Sequence, residues 1–168
     1  MIEKFKTLFF VKSSLISLYL ALTIPIPFIS TEKLKILSII FFFFGLFLII
    51  NITNDYVNTS DNSISYKTSF ISKILGKENW EINWKDIKLI KSMATSQGSK
   101  VHYFITNDKK SFLVPQRIEN FERFVSIIEK KTKLNTSEIS YISPLWTYNL
   151  LTFLSTFMII GELFIFLI

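Results

Sequence analysis

The chain of 168 residues has no cysteine. That excludes disulfide frameworks, thiolate metal sites, iron–sulfur ligation and cysteine nucleophiles, and it leaves the redox compartment open. There is one histidine, His102, so a conventional metal site or a Ser-His or Cys-His catalytic pair has little to be built from. Glycine is scarce, at four residues, and proline equally so. No cluster of side chains specifies a reaction. The sequence therefore predicts no enzyme, no catalytic residues, no cofactor and no metal.

What is present is apolar surface, 49% of the residues, gathered at the two ends of the chain around a polar segment over residues 51–143. The length leaves room for one small domain and a few membrane spans. The net charge of +6 falls mainly in the middle segment, where it reads as membrane topology rather than nucleic-acid binding.

The first apolar stretch, residues 13–30, is extended by Phe9, Phe10 and Val11 to a span of about 9–29, long enough as a helix for the hydrocarbon core. Lys12 can carry its ammonium back to the headgroups on its long stem. Pro25 and Pro27 are expected to end this span, and the bulky residues after them disfavour a cleaved signal peptide. Ser30 or Thr31 then caps a second span, 34–52, which contains four consecutive phenylalanines from Phe41 and no charge after Lys35. The pair forms a helical hairpin. A third span, 145–168, opens behind Pro144 with Trp146 and Tyr148 as interfacial aromatics. Glu162 interrupts it, as an ion or proton relay, an interhelix hydrogen bond, or a carboxyl near the interface. Lysines at 4, 6, 12, 33, 35, 130, 131 and 133 place the N-terminus and the middle domain on the cytoplasmic side.

From Asp55 to Pro115 the pattern changes to period two. Val57, then Ile64 and Tyr66, then Trp80, Ile82 and Trp84, then Val101, Tyr103 and Ile105, then Phe112 and Val114 recur on alternate positions, as strands do. Turn residues separate them at 60–62, 75–77, 96–99 and 107–109. Ile118, Phe121, Phe124, Val125 and Ile128 then mark one face of a helix, with Asn120 as its N-cap. The expected fold is α+β: a small curved sheet or split barrel over residues 54–135, closed by that helix, between the hairpin of residues 1–53 and a linker and third span over 136–168.

The segment Ile82-Asn83-Trp84-Lys85-Asp86-Ile87, the Gly98 hairpin, the strand ending Phe112-Leu113-Val114-Pro115 and the helix entered from Ile118-Glu119-Asn120-Phe121 resemble bacterial pleckstrin-homology-like (PH-like) domains. The resemblance covers residues 54–133 and implies a small barrel or sheet capped by a C-terminal helix, beside membrane helices. A narrower resemblance is to cyanobacterial and chloroplast membrane proteins, including the photosystem I assembly factor with two membrane helices; the third span departs from that layout. The resemblance implies a bacterial cytoplasmic or thylakoid membrane. It does not imply inositide recognition, because the first hairpin, residues 58–63, has no Lys or Arg.

Several residues are candidate contact positions. Ser96, Gln97, Gly98 and Lys100 form a polar hairpin tip that an anion or a partner could meet. Trp84 either joins the core or lines a peptide groove, and Asp86 caps or pairs locally with Lys85 or Lys88. His102 is expected to point outward, opposite Val101 and Tyr103. Three functions follow as expectations. The leading one is a non-enzymatic membrane scaffold or assembly factor that binds another protein through sheet edges and the Gln97-Gly98 loop. The second is anionic-lipid or membrane-surface sensing by Lys130, Lys131, Lys133 and the loop lysines, and the third is transport through Glu162. No nucleic-acid partner is expected, and homo-oligomerisation is left open.

Overall fold

A computed structural model describes residues 2–96 and 98–167; Gln97 and Ile168 lie outside the described residues. In chain order the elements are β1 (Glu3–Lys6), α1 (Phe9–Thr23), α2 (Pro25–Ile29), α3 (Glu32–Ile52), β2 (Tyr56–Thr59), β3 (Ser63–Lys67), α4 (Phe70–Ile74), β4 (Trp80–Asn83), β5 (Ile87–Ala94), β6 (Lys100–Thr106), β7 (Ser111–Leu113), α5 (Phe121–Thr132) and α6 (Leu145–Leu167). The chain divides into two units, Met1–Leu8 with Asn54–Pro144, and Phe9–Thr53 with Leu145–Ile168.

In the helical unit, Phe9–Ile29, Glu32–Ile52 and Leu145–Phe166 are 21, 21 and 22 residues long and apolar enough to cross a membrane. Each is about 30 Å as a helix. Pro25 and Pro27 break the first segment rather than end it. Pro25 takes the first position of α2, where a missing N–H costs nothing and φ is already helical. Thr31 stands at the N-cap of α3 but its side chain makes no capping bond. Tyr19 of α1 donates its hydroxyl to the carbonyl of Phe42 at 2.7 Å, and it lies against Gly45, where a Cβ would overlap its hydroxyl. That close approach accounts for a glycine in an otherwise continuous apolar helix.

The strand-rich unit holds, among the described residues, two antiparallel sheets in the orders β1-β2-β3-β4 and β5-β6-β7. They stay open rather than closing into a barrel, because β4 and β5 are linked through a 3-10 turn at Trp84–Asp86 instead of through a ladder. The N-terminal strand was not legible in hydropathy. Glu3, Lys4, Phe5 and Lys6 pair with Thr59, Asn58, Val57 and Tyr56, so Phe9–Thr53 is an insertion between two paired strands. The core gathers Phe5, Val57, Ile64, Ile82 and Phe104 from the sheets, Val114 just after β7, and Phe121, Phe124 and Ile128 from α5. Phe5 meets Phe124 edge to face at 5.4 Å. Glu3 receives both Nε and Nη2 of Arg123, at 2.6 and 2.8 Å.

Ile118 is buried but precedes α5. Asn120 occupies the N-cap position in a left-handed conformation, φ 52°, without a side-chain capping bond. The linker after α5 is bound along its length. Leu134 and Tyr141 pack on the core, Ile139 is part of it, and Tyr141 lies 4.5 Å from the Phe121 ring.

One polar node organises the start of this unit. The buried Asp55 carboxylate accepts from Tyr66 Oη at 2.8 Å, from the Ser69 N–H at 2.8 Å and from Lys77 Nζ at 2.9 Å, and its carbonyl accepts from Thr7 Oγ1 at 3.0 Å. Burial pushes this carboxyl up, but the bonds from Ser69, Lys77, Ser72 and Tyr66 together hold it below the usual carboxylate range.

Two stability outcomes follow. Phe5→Ala should cost about 3–5 kcal/mol in denaturant titrations of the full chain, because it empties a closed core position. Asp55→Ala should cost roughly 2–4 kcal/mol by stranding its donors. With a depressed folded-state pKa, the Asp55 contribution is fully present above the unfolded value of about 3.9 and is lost as pH falls through the folded one. Acid titration should show Asp55→Ala losing the part of the wild-type slope below about pH 4.

Candidate functional site

The bulge between Ile87 and Leu89 sets the geometry of the three-stranded sheet. It shifts the parity of β5, so that Ile87 is buried while Leu89 faces out. From there the register pairs Ile90 with Phe104 and Ser92 with His102 on the inner face, and Leu89 with Ile105, Lys91 with Tyr103 and Met93 with Val101 on the outer face. On β7, Phe112 joins Phe104 inside, and Leu113 joins Tyr103 outside.

His102 is accordingly turned inward, against the expectation, and is fully buried. The odd positions of β6 are the more apolar in sequence, yet the core takes His102, Phe104 and Thr106 at even positions. The His102 Nδ1 lies 3.0 Å from Ser92 Oγ, and its Nε2 is buried without a hydrogen-bond partner among the described residues. Ser92 Oγ also reaches Glu138 Oε2 at 3.4 Å, and Glu138 pairs with Lys100 at 3.7 Å. Gln116 Nε2 donates to the carbonyls of Lys100 and Ser140 at 3.0 and 2.8 Å. This cluster fastens the linker to the end of the sheet. Among the described residues no acid meets the second histidine nitrogen, where a catalytic triad would place its orienting group.

Of the residues picked from sequence, Ser96, Gly98 and Lys100 do come together at the β5–β6 hairpin. Gly98 adopts φ +78°, and its N–H donates to the Thr95 carbonyl at 3.0 Å, while the Ser99 carbonyl accepts from the Thr95 N–H at 2.7 Å. The Ser99 N–H is taken by Thr95 Oγ1 at 3.1 Å. Among the described residues, the Thr95, Gly98 and Ser99 N–H groups are thus taken up within the turn.

Trp84 lies elsewhere, buried in the core with its indole N–H on the Ser60 carbonyl at 2.9 Å. It lines no groove. Asp86 accepts from Asn83 Nδ2 at 3.1 Å rather than from Lys85 or Lys88, and it lines a cleft of about 240 Å³ with Glu81, Asn83, Thr106, Asp108 and Lys110. Each acid there is already matched: Glu81 to Ser63 at 2.9 Å, and Asp108 to Lys110 at 2.9 Å. The Thr106 hydroxyl and then Lys110 hold Asp108 down to about 2. Glu162 sits on α6 in line with Ser155 and Tyr148, at intervals of seven residues, and a polar atom of each is buried without a hydrogen-bond partner among the described residues.

The surface that stands out is the outer face of the three-stranded sheet. Leu89, Met93 and Leu113 are 40%, 49% and 49% exposed, around a half-buried column of Val101, Tyr103 and Ile105. A solvated antiparallel face ordinarily alternates to polar residues. Here Lys91 and Ser111 are the polar positions among eight. Sequence reasoning assigned this odd-numbered column of β6 to the core. No signal within β6 separates the two faces: its odd positions are the more apolar, and Phe104 stands alone among the even positions Lys100, His102 and Thr106.

The buried His102 generates a pH dependence. Burial pushes its pKa below the ordinary value, with Lys100 adding to the effect and Glu138 opposing it. A depressed folded-state pKa makes the contribution complete above the unfolded value of about 6.5 and progressively lost below it. Thermal melts followed by Trp fluorescence should therefore fall as the pH drops below about 6.5 in the parent chain, and His102→Leu should remove that part of the fall.

No family model matches the chain. Its sequence is 29% identical over 159 residues to an uncharacterized protein of Synechocystis sp., in an alignment that covers 90% of this chain and 79% of that protein. The chain is similar to a cyanobacterial protein whose name assigns no activity.

Proposed function

We propose that this is an integral membrane protein without catalytic activity, whose strand-rich unit is a PH-like docking domain that binds another protein at the cytoplasmic side of a bacterial membrane. The observation that carries the docking role is the outer sheet face of Leu89, Met93, Val101, Tyr103, Ile105 and Leu113, apolar where water would favour polar side chains. Three helical segments long and apolar enough to cross a membrane support the location. A four-stranded and a three-stranded sheet with α5 packed on their shared core support the PH-like assignment, and the lysines flanking the apolar segments support the sidedness.

The absence of cysteine from the chain makes a direct test available. Met93→Cys places a single thiol on this face. In native membranes it should react with a water-soluble maleimide at least about tenfold more slowly than in purified protein reconstituted into zwitterionic nanodiscs, because a protein partner covers it. Equal rates would end the docking proposal. Protection that appears in purified protein as soon as anionic lipid is added would assign the face to headgroups instead.

A further inference from the structure

Between β3 and β4 the chain makes one short helix, α4, that is inside out. Its polar residue Ser72 is fully buried, while Phe70 and Ile74, with Leu75 just beyond, are 72%, 67% and 64% exposed. Ordinary amphipathic helices turn the apolar stripe to the core and the polar side to water. α4 is fastened by its polar side. Ser69 caps it, accepting from the Ser72 N–H at 3.2 Å, and Ser69 Oγ in turn donates to Ser72 Oγ at 3.0 Å. The Ser69 N–H and Lys77 Nζ both close onto Asp55.

These bonds fix the direction of the apolar side. They also tie both ends of the α4 loop to one residue, Asp55, which follows the last residue of α3, Ile52, by three positions. The loop that carries the exposed Phe70, Ile74 and Leu75 is therefore bonded to a residue only three positions along the chain from a helix apolar enough to span a bilayer. Lys67 and Lys73 stand before and within the helix with no acid between residues 67 and 77, while Lys77 is paired with Asp55. Apolar side chains at a loop tip, bracketed by lysines, match the boundary between anionic headgroups and acyl chains.

We infer that α4 is a membrane-interface anchor: Phe70, Ile74 and Leu75 enter the acyl-chain boundary of the same bilayer that holds the apolar helices, and Lys67 and Lys73 meet its anionic headgroups. This rests on the membrane location of those helices and is independent of the docking face on the other sheet. A second copy of the chain is a poorer occupant, because two α4 loops face to face would bring the lysines of both together without an acid on α4.

The test uses the full chain in nanodiscs holding one copy each. An environment-sensitive fluorophore is attached to the single thiol of Ile74→Cys, and the control is Asp61→Cys, an exposed site away from α4. With lipids brominated near the headgroup end of the acyl chain, the label at position 74 should lose at least about half its emission and shift to the blue, while the label at 61 should not respond. Adding Phe70→Asp, an exposed substitution that leaves the core untouched, should cut the quenching at 74 at least threefold. A water-like, unquenched label at 74 overturns the inference. So does a label shielded in native membranes but not in lipid nanodiscs, which would assign α4 to a protein partner. If the apolar helices themselves are not in the bilayer, a label in the middle of α3, at Phe43→Cys, will escape quenching by deep-brominated lipids, which separates that failure from failure of the α4 assignment.

Discussion

The pairing of β1 with β2 is the constraint on which the strand-rich unit depends. β1 precedes the segment Phe9–Thr53 and its partner follows it, so the first sheet is completed only when the chain returns from the helical insertion. The closure is reinforced on the far side of β1. Thr7 bridges to Ile118, the Leu8 N–H donates to the Arg117 carbonyl at 2.8 Å, and the Glu119 N–H donates to the Lys6 carbonyl at 2.9 Å. Thr7 and Asp55 are in hydrogen-bond contact, so the chain leaves this unit and re-enters it at one place. A contact spanning that many residues carries a substantial loop-closure cost. Phe5 in the core and Glu3 on Arg123 offset it.

Much of this was legible in the sequence because it rests on strong periodicity. Three apolar segments, the strands from Val57 to Val114 and an amphipathic helix through Phe121, Phe124 and Ile128 all appear within a few residues of their expected places. What escaped was set by tertiary pairing. Four residues, Glu3 to Lys6, carry three charges and one aromatic, and nothing local distinguishes them from a basic leader. α4 escaped for a related reason: its exposed Phe and Ile and buried Ser oppose the pattern by which a helix is recognised.

The candidate site was legible in part. Gly98 and its neighbours do form a hairpin and Trp84 takes the core place that was one of its two readings, whereas Asp86 bonds Asn83 instead of a lysine. The inversion at His102 is the most instructive. Alternation identifies which residues share a face, and that grouping of Val101, Tyr103 and Ile105 held. It does not by itself identify which face is inside. The choice was made by Ile90, Phe104 and Phe112 stacking in register, and by the bulge that returns Ile87 to the core. A stripe that looks like core in sequence and lies outside in the fold is the observation on which the proposed docking role rests.

The two apolar surfaces have different consequences for binding. The outer sheet face is three strands wide, on the order of a few hundred Å², which is below the area of a stable complex between freely diffusing proteins. Confinement to a bilayer changes that requirement. Partners sharing a membrane meet at high effective concentration, so a contact too small to act in solution can be well populated there. A domain held by linkers alone would still lose rotational freedom on docking. With α4 held in the interface as inferred, and with the α5–α6 linker bound through Ile139, Tyr141 and Glu138, part of that freedom is removed before a partner arrives. A small apolar face on such a pre-ordered domain can then select a membrane-bound partner without needing the area or charge complementarity that soluble recognition demands.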